Sequence, residues 1–269
     1  MELLLSLYLF LVGACFGSFA LVLVDRIYNN KSWVRGRSRC DSCKKALQPV
    51  DLIPILSWLY FRGKCRRCKV SLSPAYPVVE LIAGLLFSVS YMLFPYELSG
   101  YGLGLFIVWL TALVPLLALT VFDIRWQLLP TKLIRFLQML GLINVAMGYF
   151  MQDSSLSRYI ISVGAAVAVG AGVFYLLHVW SKGKWIGDGD VRFGVVIGLF
   201  TLDPLRAWLV IFVASLFGLF VSTSYIARRK KLKNLKIPFG PFLIFGLVIS
   251  YLIGADIIDW YYSAFLNIS

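Results

Sequence analysis

Five stretches of this chain run for about twenty residues without an acidic or basic side chain of the Asp, Glu, Lys or Arg type. They are Leu3–Val24, Leu98–Phe122, Tyr159–Trp180, Ala207–Ala227 and Ile237–Ala255. A helix needs about 20 apolar residues to cross the hydrocarbon core of a bilayer. In lipid every backbone polar group must be satisfied within the protein, so only helices and closed barrels can span. Barrel strands would read as short alternating segments, whereas these runs are continuous. Hydrophobic residues make up 60% of the chain and charged ones only 14%, against roughly half and a quarter in soluble domains. The fold class is therefore an all-α polytopic membrane protein, with the lipid bilayer as its first partner. The first run carries Glu2, lacks a basic leader and exceeds the usual signal-peptide core, so it is expected to be a membrane helix and not a cleaved signal.

The formal net charge of +13 would suit a nucleic-acid binder, but its placement argues against one. Of 26 Lys and Arg, 12 lie between Arg26 and Lys69 and 6 between Arg228 and Lys236. Basic loops beside apolar spans mark the cytoplasmic side and favour anionic headgroups. Placing both loops in the cytoplasm predicts about eight transmembrane helices, near 3–24, 76–95, 101–122, 131–150, 158–180, 190–202, 205–227 and 238–256. Both termini then lie outside, as do Asp256 and Asp259 at the outer end of the last helix. The two remaining inner turns also come out basic, with Arg125 and Lys132 in one and Lys182 and Lys184 in the other. The sixth helix is the weak point, since Phe193–Leu202 is only 10 uncharged residues. It must extend back through Asp190 and Arg192 to cross, or line a wet cavity. The domains read as a first helix (1–24), a cytoplasmic segment (25–75) and a membrane-embedded remainder (76–269). No internal repeat of the kind seen in inverted-repeat transporters is evident.

This topology brings acids that are distant in sequence to one membrane depth: Asp123 at the inner end of the third helix, Asp188 and Asp190 at the inner start of the sixth. Ionisable residues at a span's edge are functional candidates, although an aspartate at a helix end also serves simply as a cap. Gly187 and Gly189 flank Asp188 and let the backbone bend or approach another chain closely. Two facing carboxylates cannot both ionise easily, so one keeps a proton. One then acts as base toward a water and the other as acid toward a carbonyl oxygen. That is aspartic-protease chemistry, and it needs no Ser, Cys or His nucleophile.

Cys40, Cys43, Cys65 and Cys68 form two C-x-x-C pairs with 21 residues between them. The spacing matches a four-thiolate zinc site. Two disulfides are the alternative, disfavoured by a reducing cytoplasm. A segment of about 50 residues holds little core, so metal would supply much of its folding free energy. Cys15, among small residues of the first helix, is expected to be a packed thiol. The single His178, near the end of the fifth helix, is expected to be an interface polar residue and not a ligand. "IPFGPF" (Ile237–Phe242) opens the last helix on the same side as the acids.

Taken in order, these motifs resemble the type IV prepilin peptidase family, the G-x-G-D membrane aspartic proteases. "GACFGSF" (Gly13–Phe19), "SRCDSC", "LIPILSWLYFRGKCRRC" and "YPVVEL" resemble its N-terminal region in order and spacing. "DIRWQLLP" (Asp123–Pro130) resembles the segment of its first catalytic aspartate. "GDGDVR" (Gly187–Arg192) carries G-x-G-D, with Asp190 at the second catalytic position and Asp188 at the variable one. The chain departs from the usual pattern at Leu21, Leu52, Thr131 and Arg192, none of them one of the two acids. The resemblance implies a bacterial plasma-membrane endopeptidase, with catalytic Asp123 and Asp190 supported by Gly187, Asp188 and Gly189. It would cleave the leader of prepilin or pseudopilin precursors at the cytoplasmic face. It also implies N-methylation of the new terminus from S-adenosylmethionine, although no Gly-rich nucleotide fingerprint marks a site for that donor. The rival readings are an ion-coupled transporter using the acids as ligands, and a non-enzymatic scaffold with a zinc domain.

Overall fold

A computed structural model of the chain describes residues 2–32, 36–40, 42–152, 154–228 and 238–266. The basic stretch at 229–236, one of the two loops used to orient the chain, lies outside the described residues. The helices are α1 (Glu2–Tyr28), α2 (Leu56–Tyr60), α3 (Ala75–Met92), α4 (Gly100–Trp126), α5 (Thr131–Tyr149), α6 (Leu156–Trp180), α7 (Asp188–Thr201), α8 (Pro204–Arg228) and α9 (Gly240–Tyr261). All but the short α2 match the eight expected spans. Six of them, α1, α3, α4, α6, α8 and α9, are long and apolar enough to cross a membrane. α5 opens with Lys132 and Arg135, and α7 has only 14 residues. Exposed apolar residues such as Leu3, Leu7, Ile160, Leu176 and Phe220 line the outward faces, as lipid contact requires.

Three helices outrun their uncharged runs. α1 continues past Val24 to Tyr28, α4 past Phe122 to Trp126, and α9 past Ala255 to Tyr261. Asp256 and Asp259 lie in the last turns of α9. Hydropathy marks where lipid contact ends, while helical hydrogen bonding continues into the wet interface.

The chain divides into two compact units. One comprises the residues up to Leu93 together with Leu113–Val121. In it α1 packs on α3 through Gly13 and Gly17, one turn apart. A Cβ at Gly13 would lie 2.6 Å from the Ala83 carbonyl oxygen, and one at Gly17 would lie 2.7 Å from Ala83 Cβ. Small residues at this spacing let helix backbones approach closely in lipid. Ser6 and Ser88 hydrogen-bond across the same pair at 2.6 Å. Because Gly13 and Gly17 define the buried face, Cys15 falls on the opposite one. It is exposed, which corrects the expectation of a packed thiol.

The second unit comprises Phe94–Ala112 and the residues from Phe122 onward. Its centre is α7. From Phe193 to Thr201 every residue of α7 except Val195 is buried. Gly194 and Gly198 face α6: a Cβ at Gly194 would lie 2.4 Å from the Gly170 oxygen, and one at Gly198 would lie 2.4 Å from Val167 Cα. Fourteen residues rise about 21 Å, short of the ~30 Å hydrocarbon core. Neighbouring side chains accept the consequence, because carbonyls at a helix C-terminus have no partners of their own. The Asn144 amide of α5 donates to Leu199 O at 3.1 Å and Phe200 O at 3.4 Å, and Ser162 Oγ of α6 donates to Leu202 O at 2.9 Å. Tyr251 of α9 donates its hydroxyl to Asn144 Oδ1 at 3.2 Å and stacks on Trp109 at 4.0 Å. The short span expected here is thus a helix buried in protein and finished by its neighbours.

Candidate active site

Three helix ends meet around two carboxylates in the second unit. Asp123 lies one turn before the end of α4 and is only 6% exposed. Its Oδ2 accepts the backbone N–H of Gly240, at the start of α9, at 2.8 Å. A Cβ at Gly240 would stand 2.7 Å from that oxygen, so only glycine brings the amide this close. Asp190 lies in the first turn of α7, and its Oδ2 accepts the Gly187 N–H at 3.3 Å. It lies within electrostatic range of Asp123. The N-termini of α7 and α9 both present partial positive charge to these acids. This offsets part of the cost of burying carboxylates among apolar helices.

The loop after α4 closes on the start of α7. A Cβ at Gly189 would touch Leu129 Cβ at 3.0 Å, and Arg192 Nη1 donates to Thr131 Oγ1 at 3.2 Å. Gln138 of α5 donates to Arg192 O at 3.2 Å. Asp188 points away from this cluster: its carboxylate pairs with Arg192 one turn on, and its side chain is 63% exposed. The two acids of "GDGD" therefore occupy different environments: Asp188 is exposed beside Arg192, while Asp190 is half-buried and within electrostatic range of Asp123. The helix-capping alternative for Asp190 is also real, because it does accept an N–H at the start of its own helix. Capping and interacting with Asp123 are compatible uses of two carboxylate oxygens. His178 Nδ1 is 2.8 Å from Ile186 O, a polar tie across the α6–α7 turn, as expected of an interface histidine. Gly240 was not among the expected site residues. The signal for it was the Pro-Phe-Gly-Pro run at the helix entry.

In the first unit the four cysteines converge, their sulfurs all within 4.8 Å of one another. Cys40 Sγ and Cys68 Sγ are 3.8 Å apart. A tetrahedron with metal–sulfur arms of ~2.3 Å has edges of about 3.8 Å, whereas a disulfide would need ~2.05 Å. The two C-x-x-C turns repeat one backbone pattern. Cys40 N–H donates to Lys45 O and Lys44 N–H to Cys40 O, while Cys65 N–H donates to Val70 O and Lys69 N–H to Cys65 O. Lys44 and Lys69 both take positive φ. The backbone N–H groups of Cys68, then Arg67, donate to the Cys65 sulfur and hold its pKa down to about 7. Thiolate is the ligand form, so the donor set fits a metal ion.

The family comparisons follow this geometry. A model of the bacterial peptidase A24 N-terminal domain matches residues 11–94, which include all four clustered cysteines, and a model of the type IV leader peptidase family matches residues 109–223, which include both acids. A prepilin leader peptidase/N-methyltransferase of Bacillus subtilis is 30% identical over 254 residues, 94% of this chain and 96% of that protein. The chain belongs to the type IV leader peptidase family. Proteins of the same description from Aeromonas hydrophila and Stutzerimonas stutzeri are 32% identical over 240 residues and 31% identical over 226. These matches cover 86% and 82% of this chain and 76% and 73% of the two relatives. No solved structure matches the chain. The leader peptidase match leaves the transporter reading without support.

Proposed function

We propose that this chain is a membrane aspartic endopeptidase that removes the leader of prepilin or pseudopilin precursors at the cytoplasmic membrane face, with Asp123 and Asp190 as the catalytic pair. The observation that carries the reading is the approach of these two acids, 67 positions apart in sequence, at the ends of α4 and α7. One carboxylate, ionised, takes a proton from a water held between the pair. The other, protonated, donates to the oxygen of the scissile carbonyl. Gly187 and Gly189 leave the backbone of the α7 entry open to an extended substrate, and Gly240 fixes one oxygen of Asp123. Asp188, paired with Arg192, supports the loop from outside.

The four-cysteine segment within 25–75 holds a structural zinc, because four thiolates leave no coordination position for water. In this reading the remainder, 76–269, is the peptidase domain, both termini lie outside and the basic loops lie in the cytoplasm of a bacterial plasma membrane. The names of the relatives extend the proposal to N-methylation. S-adenosylmethionine, when bound, would supply an electrophilic methyl group to the neutral amine of the cut substrate. The test is the mass of a precursor's N-terminus before and after incubation with the purified protein. A leader-sized loss in the wild type, absent from Asp123→Asn and Asp190→Asn proteins, is the expected result. Unchanged cleavage by either variant overturns the assignment.

A further inference from the structure

Arg192 is the only basic residue of α7, and its place in that helix is unfavourable. Side chains on a helix lean toward its N-terminus, so this guanidinium reaches back over the first turn, where the helix dipole is positive. A cation stays there only when other groups hold it. Here the side chain is held at two points and the backbone at a third. Nη2 pairs with the Asp188 carboxylate one turn back, Nη1 donates to Thr131 Oγ1 at 3.2 Å, and the Arg192 carbonyl oxygen accepts Gln138 Nε2 at 3.2 Å. Thr131 is the first residue of α5, and Gln138 lies two turns further along it. The turn that joins α4 to α5 leaves Asp123 almost at once and lays Leu129 against Gly189. The start of α7 is thus fastened to the segment that follows Asp123.

We propose that Arg192 is a positioning residue for the acid pair: by bridging Asp188 and Thr131 it sets the rotation of α7 and seats that helix on the segment that follows Asp123. The inference rests on the reading of Asp123 and Asp190 as the catalytic pair. Successive residues of a helix turn by about 100°, so Asp188 and Arg192 share one face while Asp190, midway between them in sequence, lies round the other side. Holding the 188–192 face fixes the direction in which Asp190 leaves the helix. A guanidinium suits this task, because its donors form a rigid planar fork that holds two acceptors in one geometry, which an ammonium does not. The Arg192 and Asp188 side chains are 44% and 63% exposed, and an ion pair that open adds little to stability. The consequence of the brace is therefore read in the rate of cleavage and not in the melting temperature. Asp188→Asn keeps an acceptor oxygen for Arg192 and leaves Thr131 in place, so it disturbs the brace least.

The test uses the purified full chain and a precursor whose leader it removes. The single-turnover rate at saturating precursor and the half-saturating precursor concentration are measured for the wild type, Arg192→Gln, Thr131→Val, their double variant and Thr131→Ser. Displacing a catalytic group by about 1 Å can cost ~10² in rate, and one lost tie among several moves Asp190 less, so each single variant is expected to cleave about tenfold more slowly. Half-saturation should be unchanged and the melting temperature within a few degrees of wild type. The double variant should be no slower than the slower single, because either change already opens the brace and the two effects do not add. Thr131→Ser keeps the hydroxyl and should cleave like the wild type. Wild-type rates in both single variants, or losses that multiply in the double, overturn the brace. So does a raised half-saturation with an unchanged rate, which would make Arg192 a substrate-binding residue. Should Arg192→Gln fail to fold, the two Thr131 variants decide: a slow Val and a normal Ser support the brace, and equal rates overturn it. Asp123→Asn and Asp190→Asn are run alongside. Full cleavage by either sinks the catalytic pair and the brace with it, whereas loss there beside wild-type rates in the brace variants sinks the brace alone.

Discussion

Asp123, buried, and Asp190, half-buried, show how much an acid depends on what surrounds it. Each receives one backbone N–H, from Gly240 and Gly187, and in the proposed mechanism each needs the other to share a proton. Replacing either by Asn removes proton exchange while keeping shape, so cleavage should fall by at least the ~10²–10⁴ that general acid–base groups contribute. Single-turnover cleavage of a precursor measures it; a variant keeping a tenth of the rate contradicts the pairing. Asp188→Asn should be much milder, since that side chain points outward to Arg192. Gly240→Ala is the sharper probe of geometry. Its Cβ would stand 2.7 Å from Asp123 Oδ2, and a shift of about 1 Å at a catalytic group can cost ~10² in rate. Its cleavage rate should fall by at least tenfold, with normal membrane insertion and an unaltered melting temperature within a few degrees. "GDGD" alone could not separate its two acids physically, because both lie in one helical turn; the direction each side chain takes is set by the neighbours it meets.

Among the elements, α7 is the one whose length and burial need each other. It ends inside the protein because Asn144 and Ser162 accept the burden of its last carbonyls. Asn144→Leu would leave the Leu199 and Phe200 carbonyls and the Tyr251 hydroxyl without their partner. Hydrogen bonds between membrane helices average ~0.6 kcal/mol and reach about 1.7, so a loss of roughly 1–2 kcal/mol is expected, read as a lower melting temperature in detergent. A melting temperature equal to the wild type would mean that the carbonyls find other partners. The cysteine segment is the second such element. Any one of Cys40→Ser, Cys43→Ser, Cys65→Ser or Cys68→Ser should lower bound metal from about one equivalent and expose the segment to protease. A chelator should slow cleavage late and weakly, unlike removal of a catalytic metal. Elemental analysis finding no metal in the wild type, with disulfides in protein made without oxidant, would overturn the zinc assignment.

At the scale of the whole molecule, the pair of carboxylates predicts a bell-shaped pH profile for cleavage, whose two limbs belong to the pair and not to either residue. A monotonic profile would point to a single titrating group. Orientation is tested by reporter fusions: ends placed after residues 97, 153 and 203 should report outside and one after 232 should report cytoplasm. The sequence by itself determined that the chain is built of long apolar helices suited to a membrane, and it pointed to the residues proposed to carry chemistry. Those properties follow from local quantities: the length of an apolar run, the spacing of cysteines, the side on which lysine and arginine collect. The tertiary structure alone decided that Gly240 donates to Asp123, that Asp188 is exposed on Arg192 while Asp190 is half-buried, that Cys15 is exposed and that α7 is finished by other helices. Each of these depends on a close approach between elements far apart in the chain. Hydropathy carries no record of such approaches, because a glycine that admits a backbone and a glycine that merely bends one read alike.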